Sequence, residues 1–426
     1  MTVATSMISK ETTAAASPPR FHMFLGIMWL ALWMGNFLRS SYDLFPISPY
    51  YVVAALYIPY FVFLRPADVI RVAGKPLFWI WFLTALLPIF MYLNSGGGEY
   101  AYVEVRTRIT YFSAVAGTAV LLSSHRPRQT LQIAVVLVIV IASLINLVEL
   151  VVPLGLSEAV GRSAGFHQNP NASAGVLVAC LLVALDFQRQ TFRGLALATL
   201  TAFGVLATFS RHGSLAIVAI WLAYLLAARG KPRESISAPS RLLLLLGGIL
   251  GGIIAVWGLL NFFDLHFEAS LRIRSLLGLS LADPAAQGRL DNASYGLQLY
   301  LESPWTGLGL GSHSFLDLAT HNTFLQLGIN YGIVAILMLL LILTVNTVGA
   351  LRQRLWMGGN LGLLVGFFVY EAFFSQTLER NLAFACIFGA LLARVFDSDE
   401  TLNAPEPPSP RFEPNEHFEV RAGAPT

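Results

Sequence analysis

Charge is what this chain has least of. Only 12% of its 426 residues are Asp, Glu, Lys or Arg, about half the fraction usual in a soluble domain. Hydrophobic residues reach 56%, so a soluble fold of this size could not solvate its surface. Soluble-enzyme, fibrous and disordered readings are thereby excluded, and a polytopic membrane protein remains. Lysine is scarcer still: Lys10, Lys75 and Lys231 are the only three. Cys180 and Cys386, the two cysteines, lie inside apolar runs, so no disulfide or cysteine metal framework is expected. The net charge of +3 is too small to argue for a nucleic-acid partner. The GLGLG run at 307–311 lacks the Lys-Ser/Thr of a phosphate-binding loop, and no nucleotide-binding domain is present, so ATP-driven transport is excluded. His212, His313 and His321 lack zinc-site spacing, and neither a metal nor a cofactor is expected. Asp397-Ser398-Asp399 is read as solvated charge in an acidic tail.

What is present is a succession of apolar runs near the length a membrane helix needs, about 20 residues. They lie at 21–38, 50–64, 77–93, 109–123, 131–152, 172–187, 195–209, 213–228, 242–262, 323–345, 361–374 and 382–396. The fold class is therefore all-α, with about twelve transmembrane helices. No small-residue cleavage site follows the first run, which reads as a retained helix after a tail at 1–20. Helices 1–9 fill 21–262, a large loop fills 263–320, helices 10–12 fill 321–396, and a disordered tail fills 397–426. With both termini in the cytoplasm, every lysine and most arginines fall on the cytoplasmic side. Arg39, Arg106, Arg108, Arg162, Arg211, Arg272, Arg274, Arg289 and Arg380 fall on the other. Within the large loop, 271–282 has the pattern of an amphipathic surface helix, 287–301 that of a second helix, and 303–312 that of a Pro/Gly turn.

Some outer arginines have a simple explanation: Arg39, Arg106, Arg108, Arg272 and Arg274 are expected to pair with Glu99, Glu104, Glu268 or Glu379, or with lipid headgroups. Arg162 sits in a Gly/Asn/Pro loop, Arg211 in the tight Ser-Arg-His connection at 210–212, and Arg289 in Gln-Gly-Arg at 287–289. Asn169-Pro170 alone reads as an ordinary helix cap. Guanidinium forks suit bidentate phosphate contacts, so Arg162, Arg211 and Arg289 converging on one face would make a pocket for an anionic headgroup such as pyrophosphate. His321-Asn322 opens the tenth span, and a histidine there can accept a proton near neutrality. His313, after the glycine-rich turn, is expected to be mobile and less important.

In order and spacing, Arg162…Gly165…Asn169-Pro170-Asn171, Ser210-Arg211, Gly288-Arg289, Pro304…Gly307-Leu308-Gly309 and His321-Asn322 resemble the O-antigen ligase/polymerase family of bacterial envelopes. The nearest pattern is that of the ligases, His-Asn followed nine residues later by Gly, here Gly332. Ala335 stands where that pattern has Gly, Thr or Tyr, so O-antigen or exopolysaccharide polymerase remains the alternative within the family. Outside it, the alternative is a flippase or transporter. The resemblance implies a GT-C-like, metal-independent, inverting glycosyltransferase without a cofactor, in the inner membrane of a Gram-negative cell with its site facing the periplasm. The donor would be O-antigen on undecaprenyl pyrophosphate and the acceptor the lipid A–core oligosaccharide. His321 matches the family's general base and Arg162, Arg211 and Arg289 its phosphate-handling arginines, with Asn322 and His313 also at the substrate.

Overall fold

The computed structural model describes residues 19–38, 48–94, 98–123, 126–152, 154–159, 161–187, 191–226, 284–316, 318–352 and 360–393. The expected ninth span at 242–262, the amphipathic segment at 271–282, the 229–241 stretch, Asp397–Asp399 and the terminal tails lie outside the described residues. Within them every regular element is helical. In a bilayer that is the economical solution, because a helix satisfies its own backbone N–H and C=O groups.

Helix α1 spans Pro19–Met34, α2 Pro49–Pro59 with a π turn at Tyr60–Leu64, α3 Pro66–Ala73, α4 Pro76–Asn94, α5 Glu99–Leu122 and α6 Pro127–Val151. Then come α7 (Pro170–Ala184), α8 (Phe192–Ala207), α9 (Arg211–Leu226), α10 (Pro284–Glu302) and α11 (Ser312–Phe315). The remainder are α12 (Thr323–Tyr331), α13 (Ile333–Arg352), α14 (Asn360–Phe374) and α15 (Leu382–Ala393). Proline opens α1 to α4, α6, α7 and α10, where its fixed φ suits the first turn and its missing N–H leaves nothing unpaired. Helices α4 and α6 are each long and apolar enough to cross a bilayer, and α2 with α3, bent by 99°, would make a third. The remaining apolar helices are shorter.

Packing is closest where side chains are smallest. Helix α5 lies along α15, while α6 gathers α1, α7 and α8. A methyl group on Gly389 of α15 would meet Thr118 Cβ of α5 at 2.7 Å, so only glycine permits this approach. Trp29 stacks on Trp33 at 4.7 Å and donates its indole N–H to Thr118 Oγ1 at 3.0 Å, which satisfies the polar edge of a buried ring.

Two elements differ from the sequence expectation. The fourth apolar run is the end of a longer helix beginning at Glu99, because Glu104 and Arg108 pair one turn apart and can be carried inside it. The tenth run at 323–345 is not continuous but breaks between α12 and α13 at Gly332, with φ 70° and ψ −162°. The turn at 303–311 wedges into this break. Leu308 N–H donates to Ile329 O at 2.7 Å, and Ile333 N–H donates to Pro304 O at 2.8 Å. Two of the backbone groups that the break orphans, one C=O and one N–H, are thus paired. A side chain on Gly332 would also run into the Trp305 carbonyl. Gly332→Ala is expected to destabilise the protein by at least about 1–3 kcal/mol, the cost of a Gly-only backbone region, and thermal unfolding in detergent reads it. A wild-type melting temperature would mean that the break is not required.

Candidate functional site

The loop between α6 and α7 is organised by one carboxylate. Glu149, near the end of α6, accepts backbone N–H bonds from Leu156, Ser157, Ala164 and Gly165 at 2.8–3.0 Å. This holds Arg162 over the start of α7, where the Asn169 side chain caps Asn171 and Ala172 N–H as its sequence predicts. Arg162 reaches α7 and the end of α8. Its Nε donates to Thr208 O at 2.9 Å and its Nη2 to Asn171 Oδ1 at 3.0 Å.

From Asn171 a chain of side chains runs inward. Ser210 Oγ donates to Asn171 Oδ1 at 2.9 Å and lies 2.9 Å from His212 Nδ1. His212 Nε2 lies 2.9 Å from Glu371 Oε1. Glu371 is fully buried on α14. With its proton donated to Asn171, Ser210 Oγ has lone pairs free to accept from His212 Nδ1. The fork of Arg162 is therefore braced through Asn171 of α7, Ser210 just before α9, His212 of α9 and Glu371 of α14. Arg211, partly exposed, opens α9 beside His212.

His321 stands next to this chain. Its backbone is left-handed, φ 50°, a costly conformation for a residue with a Cβ. Its N–H donates to Gln376 Oε1 at 3.3 Å. Asn322 Oδ1 caps α12 by accepting from Leu325 N–H at 3.0 Å, and its Nδ2 donates to Phe373 O at 3.2 Å. Thr323 Oγ1 donates to Ser375 O at 2.7 Å. These bonds pin the start of α12 to the end of α14, so Asn322 serves the scaffold that carries His321. The His321 imidazole is pushed down to about 4, first by burial and then by the nearby positive charges of Arg289 and His212. At neutral pH its ring is uncharged and able to accept a proton. Arg289 and the His212 end of the chain that braces Arg162 thus both lie close enough for their charges to act on His321.

His313 lies in a second cluster, and the expectation that it is mobile is overturned. The glycine-rich turn is clamped against the α12–α13 break, and His313 is 4% exposed. Its Nδ1 lies 3.1 Å from Asn330 Oδ1, and its Nε2 accepts from Arg380 Nη2 at 2.7 Å. Arg380 Nη2 also donates to Glu104 Oε2 at 2.7 Å. Glu104 Oε1 accepts from Arg108 Nε at 3.1 Å and from Tyr331 OH at 2.9 Å, and Arg108 pairs with Glu379. The pairing expected for Arg108 is present twice over. Burial, then the Arg380 charge, pushes the His313 imidazole down to about 4.

Sequence reasoning missed Glu371, Glu149 and Gln376. Glu371 carried a usable signal, since a carboxylate inside an apolar run is expensive unless a partner awaits it. Gln376 carried none, because its contact is to a backbone N–H. Among the described residues no group of three His, Cys, Asp or Glu side chains is arranged to hold a metal ion.

Residues 195–340 match a family model described as O-antigen ligase. The resemblance read from the motifs is borne out over that region, which carries Arg211, Arg289, His313, His321 and Asn322, while Arg162 and Glu371 lie outside it. No curated protein matches the chain.

Proposed function

We propose that the protein is a membrane-embedded glycosyltransferase that moves O-antigen polysaccharide from undecaprenyl pyrophosphate to the lipid A–core oligosaccharide. The observation that carries this reading is the position of His321 at the pinned start of α12, within reach of the charges of Arg289 and of His212, which is joined to Arg162 through Ser210 and Asn171. An acceptor hydroxyl oxygen attacks the anomeric carbon of the donor and forms the new glycosidic bond. The bond from that carbon to the pyrophosphate oxygen breaks, the hydroxyl proton passes to His321, and the configuration inverts. Arg162, Arg211 and Arg289 hold the charge growing on the leaving pyrophosphate, so no metal ion is called for.

The reading includes about twelve spans in a GT-C-like arrangement within a Gram-negative inner membrane, with the 263–320 loop and the site in the periplasm. The 1–20 and 397–426 tails are cytoplasmic. Cysteine labelling of positions 75 and 289 from opposite faces tests this sidedness, and labelling from the same face would overturn it. Purified protein given polyprenyl-pyrophosphate-linked O-antigen and rough lipopolysaccharide is expected to form the ligated product in excess EDTA. Activity lost with chelator and restored by Mg²⁺ would refute the arginine mechanism. Ala335 favours one second reading, polymerisation of repeat units on the same carrier. Product that grows on the polyprenyl carrier instead of on the core would establish it.

The bracing chain gives a separate expectation. Glu371→Ala leaves His212 without its carboxylate, at about 1–3 kcal/mol for an unpaired buried group, and loosens Arg162. Donor KM should rise more than kcat falls, and Glu371→Gln should restore most of it. Equal damage by both variants with a normal donor KM would dissociate Glu371 from Arg162.

A further inference from the structure

Helix α3 turns 99° from α2, so it lies across the end of the span that α2 begins. Its faces are the reverse of those on a soluble surface helix. Asp68 is turned inward at 6% exposed, while Ile70 is 71% exposed and Pro66 and Ala67 are exposed beside it. Phe63, 77% exposed in the preceding π turn, carries this apolar surface back to Ile58 and Leu56 of α2. A helix in the membrane plane buries such a face at the boundary between headgroups and acyl chains.

The charge at this bend is of one sign once its internal pair is set aside. Asp68 pairs with Arg65 through one oxygen and with Arg71 Nη1 at 2.7 Å through the other, so one carboxylate meets two guanidinium groups. No other acidic residue occurs at 60–80 or at 120–132. Arg71 Nη1 also reaches Ser123 O at 3.4 Å, just past α5, and exposed Arg126 caps the start of α6 close by in sequence. Both bonds of Arg71 use Nη1. Among the described residues its Nε and Nη2 have no partner, and the side chain is 60% exposed. Those two nitrogens form the side of the guanidinium fork that grips a phosphate with two parallel hydrogen bonds.

We propose that the bend between α2 and α3 binds an anionic phospholipid, with its phosphate on Arg71 and an acyl chain along Ile70 and Phe63. A free phosphate has no chain to cover the apolar face. A zwitterionic headgroup would bring its own cation against Arg126. A lipid with net negative charge meets both demands and fixes the depth of α3 at the interface. This site is independent of the transfer reaction.

The test is native mass spectrometry of the detergent-solubilised full chain. It is titrated with phosphatidylglycerol, with phosphatidylcholine of the same chains, and with phosphatidylglycerol in excess inorganic phosphate. Phosphatidylglycerol is expected to bind more tightly than phosphatidylcholine and to resist the added phosphate. Arg71→Gln should weaken phosphatidylglycerol about fivefold, the worth of one interfacial arginine, and leave phosphatidylcholine unchanged. Ile70→Ser should weaken both lipids alike. Arg193→Gln, at an exposed arginine in the first turn of α8, should change neither. Undiminished phosphatidylglycerol binding in Arg71→Gln would overturn the assignment. Equal weakening by Arg193→Gln would also overturn it, by showing diffuse surface charge, and displacement by inorganic phosphate would do so by showing a free-anion site.

Discussion

The His321→Ala variant loses about 10²–10⁴-fold of its transfer rate, the usual worth of a general base, and still binds the polyprenyl-linked donor. Donor binding survives because the arginines belong to other elements: Arg162 to the α6–α7 loop, Arg211 to α9 and Arg289 to α10. The ring's environment fixes the pH profile. With its folded value pushed down to about 4 by burial, Arg289 and His212, His321 is in its accepting form throughout the neutral range. The apparent kcat/KM for the acceptor, which reports the free enzyme, should be flat at neutral pH and fall only as pH drops towards about 4. Steady-state kinetics across that range and a donor-binding titration check both statements. A His321→Ala protein that transfers normally, or that fails because it no longer binds donor, would remove the general-base role. A profile breaking near the ordinary imidazole value would show that His321 is not desolvated in the working enzyme.

Much of the local fold around these residues was readable from short-range pattern. The apolar runs placed α4 and α6 almost to their ends, and Asn169-Pro170 announced the start of α7. The segment 287–301 appears as α10. What could not be read depends on partners distant in sequence. Glu371 meets His212 across 159 positions, and Glu104 meets Arg380 across 276. The break at Gly332 is invisible in hydropathy because the apolar run continues through it; only the carbonyl of Pro304 and the N–H of Leu308 make it stable. The same contact explains the misjudged His313. Glycines suggest freedom, but here they allow close backbone approach. A Cβ on Gly307 would stand 2.7 Å from the Asn330 carbonyl carbon, so the turn is clamped. His313 is then a held residue, joined through Arg380 to the buried ion pairs.

Those ion pairs set the largest expected effect on stability. Glu104→Ala removes the acceptor shared by Arg108, Arg380 and Tyr331. Arg108 is 8% exposed and would keep Glu379, but Arg380 would face His313 without a counter-charge. Deleting one partner of a fully buried pair costs about 3–5 kcal/mol; the Arg380 side chain is 34% exposed and stays partly solvated, so the loss falls below that range. The damage should also be local: the helix start carrying His321 is pinned to residues 373–376, a few positions from Glu379 and Arg380. Thermal unfolding in detergent is expected to show a large drop for Glu104→Ala and a smaller one for Glu104→Gln, which keeps an acceptor oxygen for Tyr331 and one guanidinium. The double variant Glu104→Gln with Arg380→Gln removes one charge of each sign and should recover part of the loss, since the unpaired cation goes with it. Additive losses in that double variant would show that the two residues act independently and that the cluster is not one electrostatic unit.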